Sequence, residues 1–354
     1  MNLLAKIARE SSDDLSTLDL LDRFVARIDG AYALVFVDIR HPDRIFGAKR
    51  GSPLVLGFSD HGTCASSDSR SFGSEISEFV TLEDGDIFVA DRQEYRIRNG
   101  GMSATRGREI PSIEIHAPEL EGYPHFMLKE IHEQPDVIRN VLSGRLSADN
   151  LSLENPSLEE LARRDIRKIT IVASGTSSYA GMVGKYYFEH LAGIETDVVI
   201  SAEFKYARPF VEKDRLFIFV SQSGETADTL ECLKLVKKRG GYAFGVVNVP
   251  GSSISRLTDS GLHTRAGAEV GVASTKAFIA QIATFLLMAV ALGNARSLDT
   301  AESSRILSGL SSIPELVSDT LRRSNRIEEI ARQYARYEDF FYLGRTLELP
   351  VALE

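Results

Sequence analysis

Apolar and polar positions change rhythm along this chain. In the first hundred residues the apolar positions fall in short β-rich runs, at 32–39, 44–48, 54–58 and 86–89, punctuated by Gly, Pro, Asp and Asn. That pattern predicts short antiparallel strands. Ahead of them, residues 15–28 carry apolar side chains at helical spacing and stop at Gly30, predicting a helix that enters the sheet. From 100 to 124 Gly, Ser, Arg and Pro replace the alternation, as at a domain boundary. Helical spacing resumes at 126–142, where Pro135 is expected to break or kink the helix because it has no amide proton. A second polar stretch covers 147–157.

Beyond it, strand-like runs at 168–173, 196–200, 216–220 and 242–249 alternate with helical segments at 179–191, 227–239 and 275–292. Consecutive Ile, Val and Phe suit strands buried on both faces, so the expected fold is α/β with a parallel, doubly wound sheet. Helical spacing continues over 306–334. Residues 340–343 read as a further strand, opening another βα unit.

At 354 residues, two or more domains are expected. A hydrophobic share of 43% and a charged share of 26% fit a globular protein. Apolar runs such as 285–292 are too short for a bilayer span, so no membrane partner is expected. The N-terminal residues lack a leader pattern, which reads as cytoplasmic. A net charge of −9 works against nucleic acid as a partner. Two cysteines, Cys64 and Cys232, support neither a disulfide framework nor a zinc site, and each is expected in the core. The paired carboxylates Glu159-Glu160 and Glu328-Glu329 read as solvated helix faces, and the histidines form no acid–base constellation. No metal and no cofactor is expected.

The chemistry points to two strand-to-helix turns. One reads Ser174-Gly175-Thr176-Ser177-Ser178 and the other Ser221-Gln222-Ser223-Gly224-Glu225-Thr226. Ligands of parallel sheets gather at the carboxyl ends of strands, and a helix N-terminus presents free amide protons to an anion. Hydroxyl residues also cap helices, but capping needs only one per helix. Neither loop holds Lys or Arg, and neither matches a nucleotide-binding glycine pattern, which favours a sugar phosphate over a nucleotide.

Residues 221–229, Ser-Gln-Ser-Gly-Glu-Thr-Ala-Asp-Thr, with Gly271-Val272-Ala273-Ser274-Thr275-Lys276, resemble the first sugar-isomerase domain of the glutamine–fructose-6-phosphate aminotransferase family, the glucosamine-6-phosphate synthases. The resemblance extends to His-Phe-Met-Leu-Lys-Glu-Ile at 125–131 and Glu133-Gln134-Pro135, similar to that family's connection between glutaminase and isomerase parts. It also takes in Gly30-Ala31-Tyr32-Ala33 and Gly51-Ser52-Pro53-Leu54, similar to the later glutaminase portion. It implies glutamine-dependent amination and isomerisation of fructose 6-phosphate to glucosamine 6-phosphate. Either sugar phosphate is then the expected partner, and a homodimer is compatible with it. By position, Thr176, Ser177, Ser221, Gln222, Ser223 and Thr226 would surround the phosphate, and Val272 and Ser274 would contact the sugar. Ser174 departs from the family's usual cysteine.

Other family features are missing. Met1 is followed by Asn2 rather than a nucleophilic cysteine, and the glutamine-binding motifs are absent. The resemblance therefore implies an internal portion: a partial glutaminase-like α+β domain of the N-terminal-nucleophile type at 1–100, a linker and connecting helix at 101–157, the first sugar-isomerase domain at 158–297 and the start of a second at 298–354. No catalytic residue is assigned, and binding without turnover by the isolated chain is expected. The competing readings are a non-catalytic phosphosugar-binding regulatory module and a stand-alone phosphosugar isomerase.

Overall fold

The computed structural model of the chain describes residues 2–10, 15–67, 76–92, 94–110, 119–147, 153 and 155–354. Parts of the polar stretches at 100–124 and 147–157 lie outside the described residues. The chain forms two compact units, Met1–Glu119 and Leu120–Glu354.

In the first unit, helices α1 (Asn2–Glu10) and α2 (Thr17–Val25) precede eight described strands. These are β1 (Tyr32–Asp38), β2 (His41–Arg50), β3 (Val55–Ser59), β4 (Gly62–Ser66), β5 (Glu78–Thr81), β6 (Asp86–Ala90), β7 (Tyr95–Asn99) and β8 (Met102–Ala104). Ser16 starts α2 by accepting the Asp19 amide proton on its hydroxyl. The strands pair antiparallel, in the orders β1-β2-β6-β7-β8 and β4-β3-β5. The four expected strands are present. Strands β4, β5, β7 and β8 were not anticipated, since Gly-Thr-Cys-Ala-Ser and Met-Ser-Ala carry little apolar signal.

Two polar side chains in this unit differ sharply in burial. Asp86 is fully buried, and its carboxylate accepts two hydrogen bonds from Arg106, at 2.8 and 3.0 Å, with others from Asn99 Nδ2 and the Glu83 amide. Cys64 is exposed, contrary to the core position expected for it. It lies on β4, an edge strand of the smaller sheet, where its thiol reaches the Gly57 carbonyl at 3.7 Å.

The second unit begins with α3 (Phe126–Leu142) and α4 (Pro156–Ala162). Helix α3 runs through Pro135 unbroken. Proline forfeits one backbone bond, but Pro135, Val137, Ile138 and Val141 are buried, and that packing outweighs the loss. There follow β9 (Lys168–Ala173), α5 (Thr176–Leu191), β10 (Glu195–Ile200), α6 (Ser201–Phe204), β11 (Arg215–Ser221), α7 (Ala227–Lys238), β12 (Tyr242–Val247), α8 (Ser253–Leu257) and β13 (Ser260–His263). The chain closes with α9 (Lys276–Asn294), α10 (Thr300–Leu321), α11 (Ser324–Tyr334) and α12 (Glu348–Leu353).

Among the described residues the five strands of this unit form one parallel sheet, β10-β9-β11-β12-β13. Alternation along the strands sends side chains to two faces. Ile169, Ile171, Leu216, Ile218 and Val220 join a core built with α3, α4, α5, α9 and α10. Val172, Phe217 and Phe219 join a second core with α6, α7 and α8. The sheet is thus doubly wound, as expected.

Helix α9 corrects one reading of the sequence. The apolar run at 285–292 belongs to a 19-residue helix that is long and apolar enough to cross a bilayer, yet 78% of its apolar stretch is buried inside this unit. Phe285 packs edge-on against Phe188 with ring centroids 6.0 Å apart. An all-round apolar helix is what the centre of a large core requires.

Residues 340–343 form no strand. Phe341 and Leu343 are more than nine-tenths exposed, and no described strand lies beside them to supply hydrogen bonds.

Candidate phosphate-binding site

The strand order places β9 beside β11, while the helices that follow them, α5 and α7, pack on opposite faces. This is the topological switch point of the sheet, and in open parallel sheets the crevice outside the carboxyl ends of the strands at such a point is where ligands gather. Both hydroxyl-rich loops lie at this point.

In the first loop Gly175, at φ +53°, turns the chain into α5, and no side chain caps that helix. The Ser178 hydroxyl donates back to the Gly175 carbonyl at 2.6 Å. Ser177 is buried and accepts a hydrogen bond from Gln281 Nε2 of α9 at 3.0 Å, which leaves its own proton to donate. Thr176 stands at the first turn, and its hydroxyl donates to Glu354 Oε1 at 2.6 Å.

The second loop is held by its own hydroxyls. Ser221 Oγ and Thr226 Oγ1 share a hydrogen bond of 2.8 Å, and Ser221 Oγ accepts the Gly224 amide proton at 2.9 Å. Ser223 Oγ accepts from the Glu225 amide at 3.2 Å, and Glu225 accepts from the Ser253 amide at 2.7 Å. Gly224 has φ +70°, and a Cβ there would lie 2.0 Å from Ser252 Oγ, so the position requires glycine. Thr226 precedes α7 without capping it through its side chain. By contrast α2, α3, α4 and α10 are each capped by a side-chain acceptor. The hydroxyls of these two loops are therefore not used as ordinary caps.

Asn248, 7% exposed at the end of β12, links the second loop to the next segment. Its amide donates to the Gln222 carbonyl at 3.3 Å. Its side chain accepts from the Ala266 amide and Thr264 hydroxyl, and donates to the Gly267 carbonyl. Nearby, Arg145 is buried, donates to the Val141 and His263 carbonyls, and is pushed down to about 10 by burial and the adjacent Arg265.

The segment carrying Val272 and Ser274 runs from 264 to 275 into α9. Val272 is fully exposed, and Ser274 donates to Glu269 Oε2 at 2.8 Å. Glu269 also accepts from the amides of Thr275 and Ala277, capping α9 from a distance. Six of the eight predicted residues, Thr176, Ser177, Ser221, Gln222, Ser223 and Thr226, thus meet at the switch point. Val272 and Ser274 stand on a separate loop, joined to the first through α9 and Gln281. Gln281, Asn248, Glu269 and Glu130 were not anticipated. Glu130 lies in the connecting stretch 125–131, Asn248 in the strand-like run 242–249 and Gln281 in the helical run 275–292, none of which marks it as a site residue.

Cys232, on α7, is buried as expected, donates to the Ser201 carbonyl, and is pushed up to about 11 chiefly by burial. It plays no part in this crevice.

Residues 164–291 match the SIS domain family. A glutamine–fructose-6-phosphate aminotransferase (isomerizing) of Salmonella paratyphi A is 39% identical over 336 residues, 94% of this chain and 55% of that protein. One from Chlorobaculum tepidum is 38% identical over 331 residues, 92% of this chain and 54% of that protein. The chain thus spans about half the length of the curated relatives it matches. Among solved structures, the C-terminal domain of glucosamine-fructose-6-phosphate aminotransferase from Francisella tularensis superposes with a TM-score of 0.63 at 37% identity, covering 67% of this chain and 66% of that one. Over the part of those proteins that it spans, this chain is similar along nearly its whole length to glutamine–fructose-6-phosphate aminotransferases, with a SIS domain at residues 164–291.

Proposed function

We infer that the crevice between β9 and β11 binds the phosphate of fructose 6-phosphate or glucosamine 6-phosphate. The observation that carries this reading is the pairing of two hydroxyl-rich loops at one switch point, each opening a helix that no side chain caps. Free amides and the partial positive charge of α5 and α7 suit an anion, and Thr176, Ser177, Ser221, Gln222, Ser223 and Thr226 orient it. Val272 and Ser274 contact the sugar. In the full reaction of the family this is the phosphosugar-binding part of a glutamine-dependent amination and isomerisation, met in the cytoplasm. Residues 1–100 are assigned to a glutaminase-like domain, 101–157 to the connection, 158–297 to the sugar-isomerase domain and 298–354 to the start of a second. The loops bind rather than transform: they present hydroxyls and amides, and Glu225 is engaged by the Ser253 amide.

Thermal-shift titration with fructose 6-phosphate, other sugar phosphates and inorganic phosphate tests this reading, because a ligand selective for the folded state raises stability with concentration. Replacing Ser221→Ala together with Thr226→Ala removes one free hydroxyl donor and the Ser221–Thr226 bond that shapes the loop, worth about 0.5–1.5 kcal/mol each, so affinity should fall roughly 5- to 150-fold. An unchanged fructose 6-phosphate response in that double variant would show that the phosphate sits elsewhere.

A further inference from the structure

Helix α3 does more than connect. One side of its first two turns faces the segment that carries Val272 and Ser274. Glu130, only 2% exposed, accepts the Val270 amide proton on Oε1 at 2.6 Å and the Gly271 amide proton on both oxygens, at 3.1 and 3.2 Å. Glu133, one turn later, forms an ion pair with the buried Lys276 at the first position of α9. The approach is close: a Cβ on residue 271 would lie 2.5 Å from Glu130 Oε2, so any larger residue there would push the carboxylate aside.

We propose that Glu130 is the positioning residue of the sugar-facing loop, its carboxylate fixing the backbone of Val270 and Gly271 so that Val272 and Ser274 stand where a sugar held by its phosphate meets them. The chemistry suits this task. A carboxylate accepts two or more amide protons at once, and such charge-assisted bonds are about twice as strong as neutral ones. Residues 264–275 have no helix or strand of their own, so their course depends on anchors outside the segment. Glu269 anchors the end that enters α9, Asn248 the end that leaves β13, and Glu130 the middle. Of the three, Glu130 holds the two residues immediately before Val272. The phosphate loops hydrogen-bond to neither Glu130 nor Gly271, so phosphate affinity and sugar affinity are separable.

This inference rests on the phosphosugar reading above and is tested on the full chain by calorimetric titration with two probes, fructose 6-phosphate and inorganic phosphate. Glu130→Gln keeps the shape but replaces one acceptor oxygen by a donor that faces the Gly271 amide. The expected result is a fructose 6-phosphate affinity about tenfold weaker, with inorganic phosphate binding unchanged. Gly271→Ala, which disturbs the same contact from the other side with the carboxylate intact, should show the same selective loss. It also stands in if the first variant does not fold. Fructose 6-phosphate binding that is unaffected, or that weakens in step with phosphate, would overturn the role of Glu130 while leaving the phosphate site intact. Failure of the unmodified chain to bind either probe would instead overturn the site itself.

Discussion

Gly224→Ala should abolish measurable sugar-phosphate binding and destabilise the second unit by roughly 2–5 kcal/mol. Two costs combine. Residue 224 sits at φ +70°, a region that costs a residue with a Cβ about 1–2 kcal/mol. The added methyl would also stand 2.0 Å from Ser252 Oγ and 2.5 Å from its Cβ, and overpacking of this kind costs about 1–3 kcal/mol. Ser252 is buried, so it cannot swing into solvent. Relief must come from the loop, which pulls the Gly224 amide off Ser221 Oγ and opens the Ser221–Thr226 pair. Denaturant unfolding followed by hydrogen exchange at β11 and β12 would measure the loss. A variant as stable as the parent that still binds fructose 6-phosphate would show that the loop tolerates a second course.

The largest effect expected in the first unit belongs to Asp86. Its buried carboxylate accepts from Arg106, Asn99 and the Glu83 amide, and Arg106 also reaches Glu83 at 3.0 Å. Asp86→Ala removes a buried acceptor of four hydrogen bonds, leaving Arg106 to Glu83 and the Thr105 carbonyl and Asn99 to the Asp84 carbonyl. Breaking a buried pair by removing one partner costs about 3–5 kcal/mol. Amide protection in β6 and β7 reads that unit alone and should fall by the same amount. A fall below about 1 kcal/mol would mean that water takes over the freed groups.

The parallel sheet was legible because its strands are buried on both faces and therefore carry unbroken apolar runs. The β13 strand, Ser-Gly-Leu-His, escaped because an edge strand needs few apolar side chains, and here only Leu262 is buried. Residues 340–343 misled for the opposite reason: four bulky residues make a strand only when a neighbour offers its backbone. At the candidate site, hydroxyl side chains marked the two phosphate loops directly. Glu130 and Asn248 left no such mark. Their partners are largely main-chain groups, in the case of Glu130 about 140 residues away, and a backbone amide is the same whatever side chain it carries. Cys64 shows a further limit, since composition alone says nothing about which strand ends up at an edge.

Helix α9 is made late. All five strands of the parallel sheet precede it, so the apolar face it covers exists before its cover does. From the end of β13 to the end of α9 the ribosome adds residues 264–294, which takes roughly 2–6 s at about 5–20 residues per second. For that interval Ile171, Ile218 and Val220 have the cover of α3, α4 and α5 but lack the part that α9 and α10 supply in the finished protein. Demand for chaperones in the cell should therefore follow the speed of translation through this stretch more closely than the stability of the completed fold.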